Sequence, residues 1–198
     1  LSASSAASDV YKRQALINVP RKLALKDADL DLLLLKASQL HHPDNGGDQD
    51  SFSKIRLAGE ILKSPAKRVR AAIECEGISF DERGEIPAKV MEYFSHIASV
   101  LQDVDSFVSE RSKALSSLGK AVLDIRVPRL KGDLEDVTSK LNELKSAMIA
   151  NFKIFDERGW SNCEVEMCEI ARGLIFLTKW SAQLKEANGK LFEALLVG

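Results

Sequence analysis

Apolar residues recur along this chain three or four positions apart, in one stripe after another. Leu30, Leu34, Ala37 and His41 form one stripe, and Phe52, Ile55, Ala58, Ile61 and Leu62 form a second. A longer one runs through Val90, Phe94, Ile97, Leu101, Val104 and Val108. Leu134, Val137, Leu141, Leu144, Met148 and Phe155 follow, and then Ile170, Leu174, Leu177, Leu184, Leu191 and Leu195. No segment sustains the period-two alternation of a half-buried strand, and the only threonines are Thr138 and Thr178, so strands find no support. The pattern predicts an all-α protein.

The prolines punctuate these stripes. Pro20 follows the apolar pair Leu16-Ile17, and Pro43 interrupts a helical pattern directly after Leu40-His41-His42. Pro65 and Pro87 each suit a first helical turn, where the missing N–H costs nothing, while Pro128 is expected to break or kink a long run. Ser161 with Glu164 reads as a capping box for the last helix. Short helices with a Gly-rich turn precede the stretch from Gly77 to Glu85; three long ones follow it, in the proportions of an antiparallel three-helix bundle. The organisation expected is a disordered or non-native Ser/Ala-rich leader over 1–14, a first domain over 15–77, a linker over 78–86 and a helical bundle over 87–198.

Composition narrows the class. With 198 residues, 45% of them hydrophobic and 29% charged, the chain has the make-up of an ordinary globular protein able to bury a core. A formal net charge of −1 removes the simplest argument for nucleic acid or a membrane surface as the main partner. No uncharged apolar run approaches the roughly 18 residues of a spanning helix. Three cysteines, Cys75, Cys163 and Cys168, are an odd count in a chain too large to need stapling, which points to a reducing, cytoplasmic setting. Residues 1–77 hold 12 bases and 10 acids and residues 78–198 hold 16 and 19, a split too small to assign a partner.

Sites with chemistry of their own find little support. Cys163 and Cys168 stand about 140° apart on a helix, and adjacent His41 and His42 diverge, so neither pair offers a metal face. Asp44, Asp48 and Asp50 have calcium-loop spacing, but Gln49 and Ile55 occupy the positions that need Gly and Glu. No nucleophile elbow, zinc-protease helix motif or phosphate loop occurs. No enzyme activity, metal or cofactor is expected. A pentapeptide appears twice, Phe80-Asp81-Glu82-Arg83-Gly84 and Phe155-Asp156-Glu157-Arg158-Gly159, with unmatched flanks; it reads as two turns, each preceding a helix.

The informative stretch is His42-Pro43-Asp44-Asn45-Gly46-Gly47-Asp48, set between two amphipathic helices. Pro43 ends the first helix and stiffens the corner, and the glycines permit backbone angles closed to other residues. His42 and Asp44 are thereby held at the tip of a helical hairpin. A rigid, exposed carboxylate is suited to receive a partner's Arg through paired charge-assisted hydrogen bonds. Phe52-x-x-Ile55-x-x-Ala58-x-x-Ile61-Leu62-x-x-Pro65-x-x-Arg68 follows, and with this spacing the span Leu16 to Glu76 resembles the J-domain of DnaJ-like co-chaperones. Val19-Pro20-Arg21 and the run from Pro65 to Gly77 are similar to the HscB type, in which a J-domain precedes a three-helix bundle. Ile86-Pro87-x-x-Val90-Met91-x-x-Phe94 and Leu174-Ile175-Phe176-Leu177-x-Lys179 resemble segments of that bundle's first and last helices.

The resemblance implies a partner and a client. The J-domain would bind a DnaK-type heat-shock ATPase through His42, Pro43, Asp44, Lys36 and Arg68 and stimulate its ATP hydrolysis. The bundle would hold a client protein, an iron–sulfur scaffold in the HscB type, around Met91, Phe94, Ser95 and Phe176. Met and Phe give an adaptable apolar surface, although the same spacing also describes a bundle core. Departures are visible. The helix before the loop opens with Asp27, Asp29 and Asp31, and Lys36 is its only internal strong base, where J-domains carry several. Leu33 and Leu40 replace polar outer residues, and Gly59 replaces a common tyrosine. Bases collect later, at Lys54, Arg56, Lys63, Lys67, Arg68 and Arg70, and the glutamates of the scaffold-binding surface are not evident near Ser95 and His96. The alternative is a non-catalytic helical adaptor with a degenerate J-domain; a helix-turn-helix nucleic-acid binder lacks a wider basic surface.

Overall fold

The structure is a computed structural model that describes residues 19–196. The 1–14 leader and the first residues of the 15–77 span lie outside the described residues. Helices make up the fold, and no strand occurs among the described residues. In chain order they are α1 (Asp27–Leu40), α2 (Gln49–Lys63), α3 (Pro65–Cys75), α4 (Ala88–Met91), α5 (Phe94–Lys113), α6 (Ser117–Asp124), α7 (Val127–Arg158) and α8 (Glu164–Leu196). Single 3-10 turns lie at Pro43–Asn45 and Trp160–Asn162. Two compact units divide the chain. One takes in the described residues up to Glu85 together with Ala147–Leu174; the other comprises Ile86–Ser146 and the chain from Ile175 onward. The turn joining α7 to α8 therefore belongs to the same unit as α1, α2 and α3.

In the first unit, the sequence stripes become one apolar cluster. Leu30, Leu34 and Ala37 of α1 meet Ile55, Ala58 and Leu62 of α2, with Val19 beside them and Leu25 and Leu33 packed against the edge. Gly59 permits this approach, since a Cβ there would sit 3.2 Å from a Leu34 methyl. Asp48 caps α2, accepting from the Asp50 and Ser51 amides at 2.9 and 3.0 Å. Ser64 and Pro65 open α3 as the sequence suggests, with the Ser64 hydroxyl accepting from the Lys67 amide.

The extended segment before α1 is fastened by two charged side chains. Arg68 donates from Nε to the Leu62 carbonyl and from a terminal nitrogen to the Leu23 carbonyl, both at 2.7 Å. Asp156, at the end of α7, accepts the Leu23 amide at 2.8 Å, the Ala24 amide at 2.9 Å and the Trp160 indole N–H at 2.9 Å. Arg21 lies over the Trp160 ring, its guanidinium 4.8 Å from the centroid, and pairs with Glu76, which also accepts from the Ser161 hydroxyl.

The second unit buries Val90, Ile97, Val100, Val104 and Phe107 from α4 and α5. It also buries Val127, Leu130, Leu134, Val137 and Leu141 from α7, and Leu177, Trp180, Leu184, Ala187 and Leu191 from α8. Arg111 is buried too; it pairs with Asp124 at 2.7 Å and donates to the Ala194 carbonyl. This pairing holds the Asp124 carboxyl below its ordinary range and raises the Arg111 guanidinium.

Pro128 falls in the first turn of α7, where the N–H it lacks would have no intrahelical partner, and the run is broken as expected just before it, at 125–126 between α6 and α7. Other local expectations change. Ser161 caps no helix: it lies in the 3-10 turn before α8 and donates to Glu76. Arg68, expected on the chaperone-facing surface, is only 5% exposed and spends its donors on two main-chain carbonyls. Burial lowers its pKa, with the Asp27 and Asp156 charges opposing the shift.

Removing a buried donor leaves its acceptors desolvated and unpaired, at about 1–3 kcal/mol for each group. Arg68→Met is therefore expected to destabilise the chain by about 3 kcal/mol in urea unfolding. A change below about 0.5 kcal/mol, the ordinary range for surface substitutions, would show that Arg68 fastens nothing.

Candidate functional site

The loop between α1 and α2 is built almost entirely from its own main chain. His42 ends the α1 approach in an extended conformation, and Pro43 starts a 3-10 turn with its ring-fixed φ. The Asn45 and Gly47 amides both donate to the His42 carbonyl, at 2.9 and 3.1 Å, and the Gly46 amide donates to the Pro43 carbonyl at 3.0 Å. The Asn45 side-chain amide reaches back to the Gln39 carbonyl at 2.9 Å, fixing the turn to the last turn of α1. Gly46 takes a φ of +82°, the left-handed region that favours glycine. Gly47 is required for space, because a Cβ there would lie 2.3 Å from the His41 carbonyl.

On this frame two candidate side chains are placed by short contacts. The His42 Nδ1 accepts from the Asp44 amide at 3.2 Å, so the neutral imidazole carries its proton on Nε2. The ring meets Phe52 of α2 edge-on, with centroids 5.1 Å apart and planes at 78°. The Asp44 carboxylate lies 3.6 Å from Nδ1, yet its side chain is 88% exposed. A fixed imidazole and a water-facing carboxylate thus share one tip. The arrangement can dock a cation or a hydrogen-bonding partner.

The surrounding charges are mostly spent at home. Lys54 pairs with Asp50, Lys63 with Asp31 at 2.7 Å, and Arg70 with Glu74 and Glu82. Lys36, Arg56 and Lys67 are exposed with no carboxylate paired to them among the described residues. The outer surface of α1 instead shows Leu32, Leu35 and Leu40, the last 73% exposed. Leu33, by contrast, is drawn partly into the α1–α2 cluster.

A second group lies in the other unit. Met91 and Phe94 are 42% and 52% exposed, and Ser95 is exposed beside them. Phe176 is half-buried on α8. Trp180, which the sequence reading left out of this face, joins them: its ring lies 6.2 Å from that of Phe94 and 5.9 Å from that of Phe176. Lys179 covers Phe176 with its ammonium 5.6 Å from the ring centroid. The i,i+4 spacing of Phe176 and Trp180 was the available signal.

Among the described residues, no cluster of three or more His, Cys, Asp or Glu could hold a metal ion. No helix searched is long and apolar enough to cross a membrane. Burial pushes the Cys75 and Cys168 thiols up. No family model, curated protein or solved structure matches the chain.

Asp48 anchors the loop to α2. The Ser51 hydroxyl and amide, the Asp50 amide and the Lys54 charge lower its pKa. A carboxyl lowered on folding stabilises fully above its unfolded value, about 3.9, and the contribution is lost as pH falls through the folded value. Protection of the Asp50 and Ser51 amides from hydrogen exchange should therefore persist down to about pH 4 and fail below it. Asp48→Ala should abolish that protection at neutral pH; equal protection in parent and variant would remove the cap from the account.

Proposed function

We propose that the chain is a J-domain co-chaperone that docks on a DnaK-type heat-shock ATPase and stimulates its ATP hydrolysis. The observation that carries the reading is the presentation of His42, Pro43 and Asp44 at the α1–α2 tip. The loop's geometry is fixed by its own hydrogen bonds, and the Asp44 carboxylate is left to solvent. A partner engaging these groups loses little side-chain entropy on this chain's account, so binding is directed by geometry already present. Hydrolysis takes place in the partner, and this chain supplies contacts only. Lys36 is the cation of α1 available to an acidic chaperone surface; Arg68 acts behind it by fixing the backbone.

In this reading the face at Met91, Phe94, Ser95 and Phe176, backed by the buried Trp180 ring, receives the client. Exposed Met and clustered aromatic rings adapt to an apolar partner surface, and aromatic anchors carry most binding energy at such contacts. Nothing in this face selects iron–sulfur scaffolds over other clients. A helical adaptor with a degenerate J-domain is the second reading. It is favoured by Asp27, Asp29 and Asp31 on α1 and by the exposed leucines that stand where a basic surface would serve the chaperone.

A single-turnover ATPase assay with several DnaK-type chaperones separates the two readings. The parent chain should accelerate hydrolysis and His42→Gln should not, with both equally helical by circular dichroism. Stimulation by neither, across all chaperones tried, selects the adaptor. The client face has its own test. Phe94→Ala combined with Phe176→Ala should lose client capture while ATPase stimulation stays at the parent's level, because these residues and the loop lie in different units. Retained capture would move the client elsewhere.

A further inference from the structure

Helix α6 contributes nothing to the core. None of its residues is buried, although it carries the apolar residues Leu118 and Val122, and Leu115 and Ile125 flank it. These four are exposed by 103% for Leu115, 74% for Leu118, 58% for Val122 and 77% for Ile125. At 100° per residue, Leu118, Val122 and Ile125 fall within about 60° of one another, and Ile125 keeps helical backbone angles, so they form one stripe. The N-terminus of α6 is satisfied by the Ser116 hydroxyl, and its C-terminal Asp124 is held by buried Arg111. The helix is thus anchored by polar contacts and the half-buried Leu123, and Leu118 and Val122 are left exposed.

Charge segregates around the same segment. Arg111, Lys113, Lys120, Arg126, Arg129 and Lys131 stand against Glu110, Asp124 and Asp133 over residues 110–133, in a chain whose overall charge is −1. Arg126 and Arg129 keep exposed side chains while pairing with Glu110 and with Asp103 and Asp133. Lys113 and Lys131 are exposed with no carboxylate paired to them among the described residues. Lys120 turns to the opposite side of α6, toward a cavity, and adds only to the local field.

We propose that α6 and its flanking residues 115–125 dock on an anionic lipid bilayer surface, inserting the Leu118–Val122–Ile125 stripe, with Leu115 beside it in the chain, at the acyl boundary. An interfacial helix needs an apolar face and adjacent bases, and its hold on the bilayer grows with the apolar area it buries. Two features select lipid over protein. The stripe holds only Leu, Val and Ile, whereas protein interfaces centre on Trp, Tyr and Arg anchors. Four aliphatic side chains also offer much less than the roughly 800 Å² per partner that a stable interface buries. The near-neutral total charge conceals this local basic segment, so the inference departs from the expectation of no membrane partner. It does not rest on the co-chaperone reading, because neither the His42 loop nor the Phe94 face takes part.

The test is flotation of the full chain with vesicles of phosphatidylcholine alone and with phosphatidylserine added at 30%. The parent should float with the anionic vesicles at low salt, and far less with the neutral ones. Leu118→Ser, Val122→Ser and Ile125→Ser together should lower the partition at least roughly tenfold, while helicity and thermal unfolding stay at the parent's values. Lys113→Glu with Lys131→Glu should give a similar loss and a flatter salt dependence, since exposed charges are screened within about 10 Å at 0.1 M salt. No flotation of the parent with either vesicle overturns the proposal, as does undiminished flotation of the serine variant. A parent that sediments as a dimer, with the serine variant monomeric, would assign the stripe to a contact between copies and equally overturn it.

Discussion

The peptide unit of Leu23 is gripped from both sides by charge. Its carbonyl accepts from Arg68 and its amide donates to Asp156, and the side chain between them is buried. Charged groups in such a place are costly unless every hydrogen-bonding site is used. Here they are used: Arg68 also holds the Leu62 carbonyl, and Asp156 also holds the Ala24 amide and the Trp160 indole. One residue, at a bend of the chain, thereby ties together the C-terminal turn of α2, helix α3 and the end of α7. The start of α1 is fixed by this attachment, and α1 carries the His42 loop at its other end.

The helices were legible because burial follows the 3.6-residue period. Leu30, Leu34, Ala37, Ile55, Ala58 and Leu62 are buried where the stripes place them. Phe52 and Ile61 are only half-buried, at the stripe's edge. Arg68 and Asp156 were not legible. They lie 45 and 133 residues from the peptide they hold, and no local pattern marks a charged side chain that will find main-chain partners at such distance. Arg68 accordingly read as part of a basic surface run. The repeated Phe-Asp-Glu-Arg-Gly shows the same limit. In the second copy the aspartate is the Leu23 anchor. In the first, Asp81 only closes its own turn by accepting the Arg83 amide, while Arg172 reaches the Asp81 carbonyl. Only the first copy is the turn the sequence suggests; the second is the last turn of α7, closed by Gly159, so identical pentapeptides take different backbones and do different work according to their tertiary partners.

The loop itself was legible for a different reason: it is local. Every contact that shapes Pro43 to Gly47 comes from residues 39 to 47, so proline, glycine and asparagine chemistry suffices to read it. The contact of His42 with Phe52 extends that reading by half a turn into α2. What a local reading could not supply was the balance of the surface beside the loop, because that depends on which bases find acids across helices.

That balance shapes how this side of the molecule meets a partner. Lys63 crosses to Asp31, Arg70 to Glu82, and Lys54 folds back on Asp50, so most of the bases that cluster in the sequence are neutralised within the unit. Long-range steering depends on uncompensated charge, and rim charges act mainly on association rate. With Lys36, Arg56 and Lys67 left over, the steering field is small. Leu32, Leu35 and Leu40 meanwhile offer apolar area on α1, and burial of such area is insensitive to screening by salt. A partner docking beside His42 and Asp44 would thus be held by a fixed polar tip and an apolar flank, with complex lifetime governed by burial more than by charge.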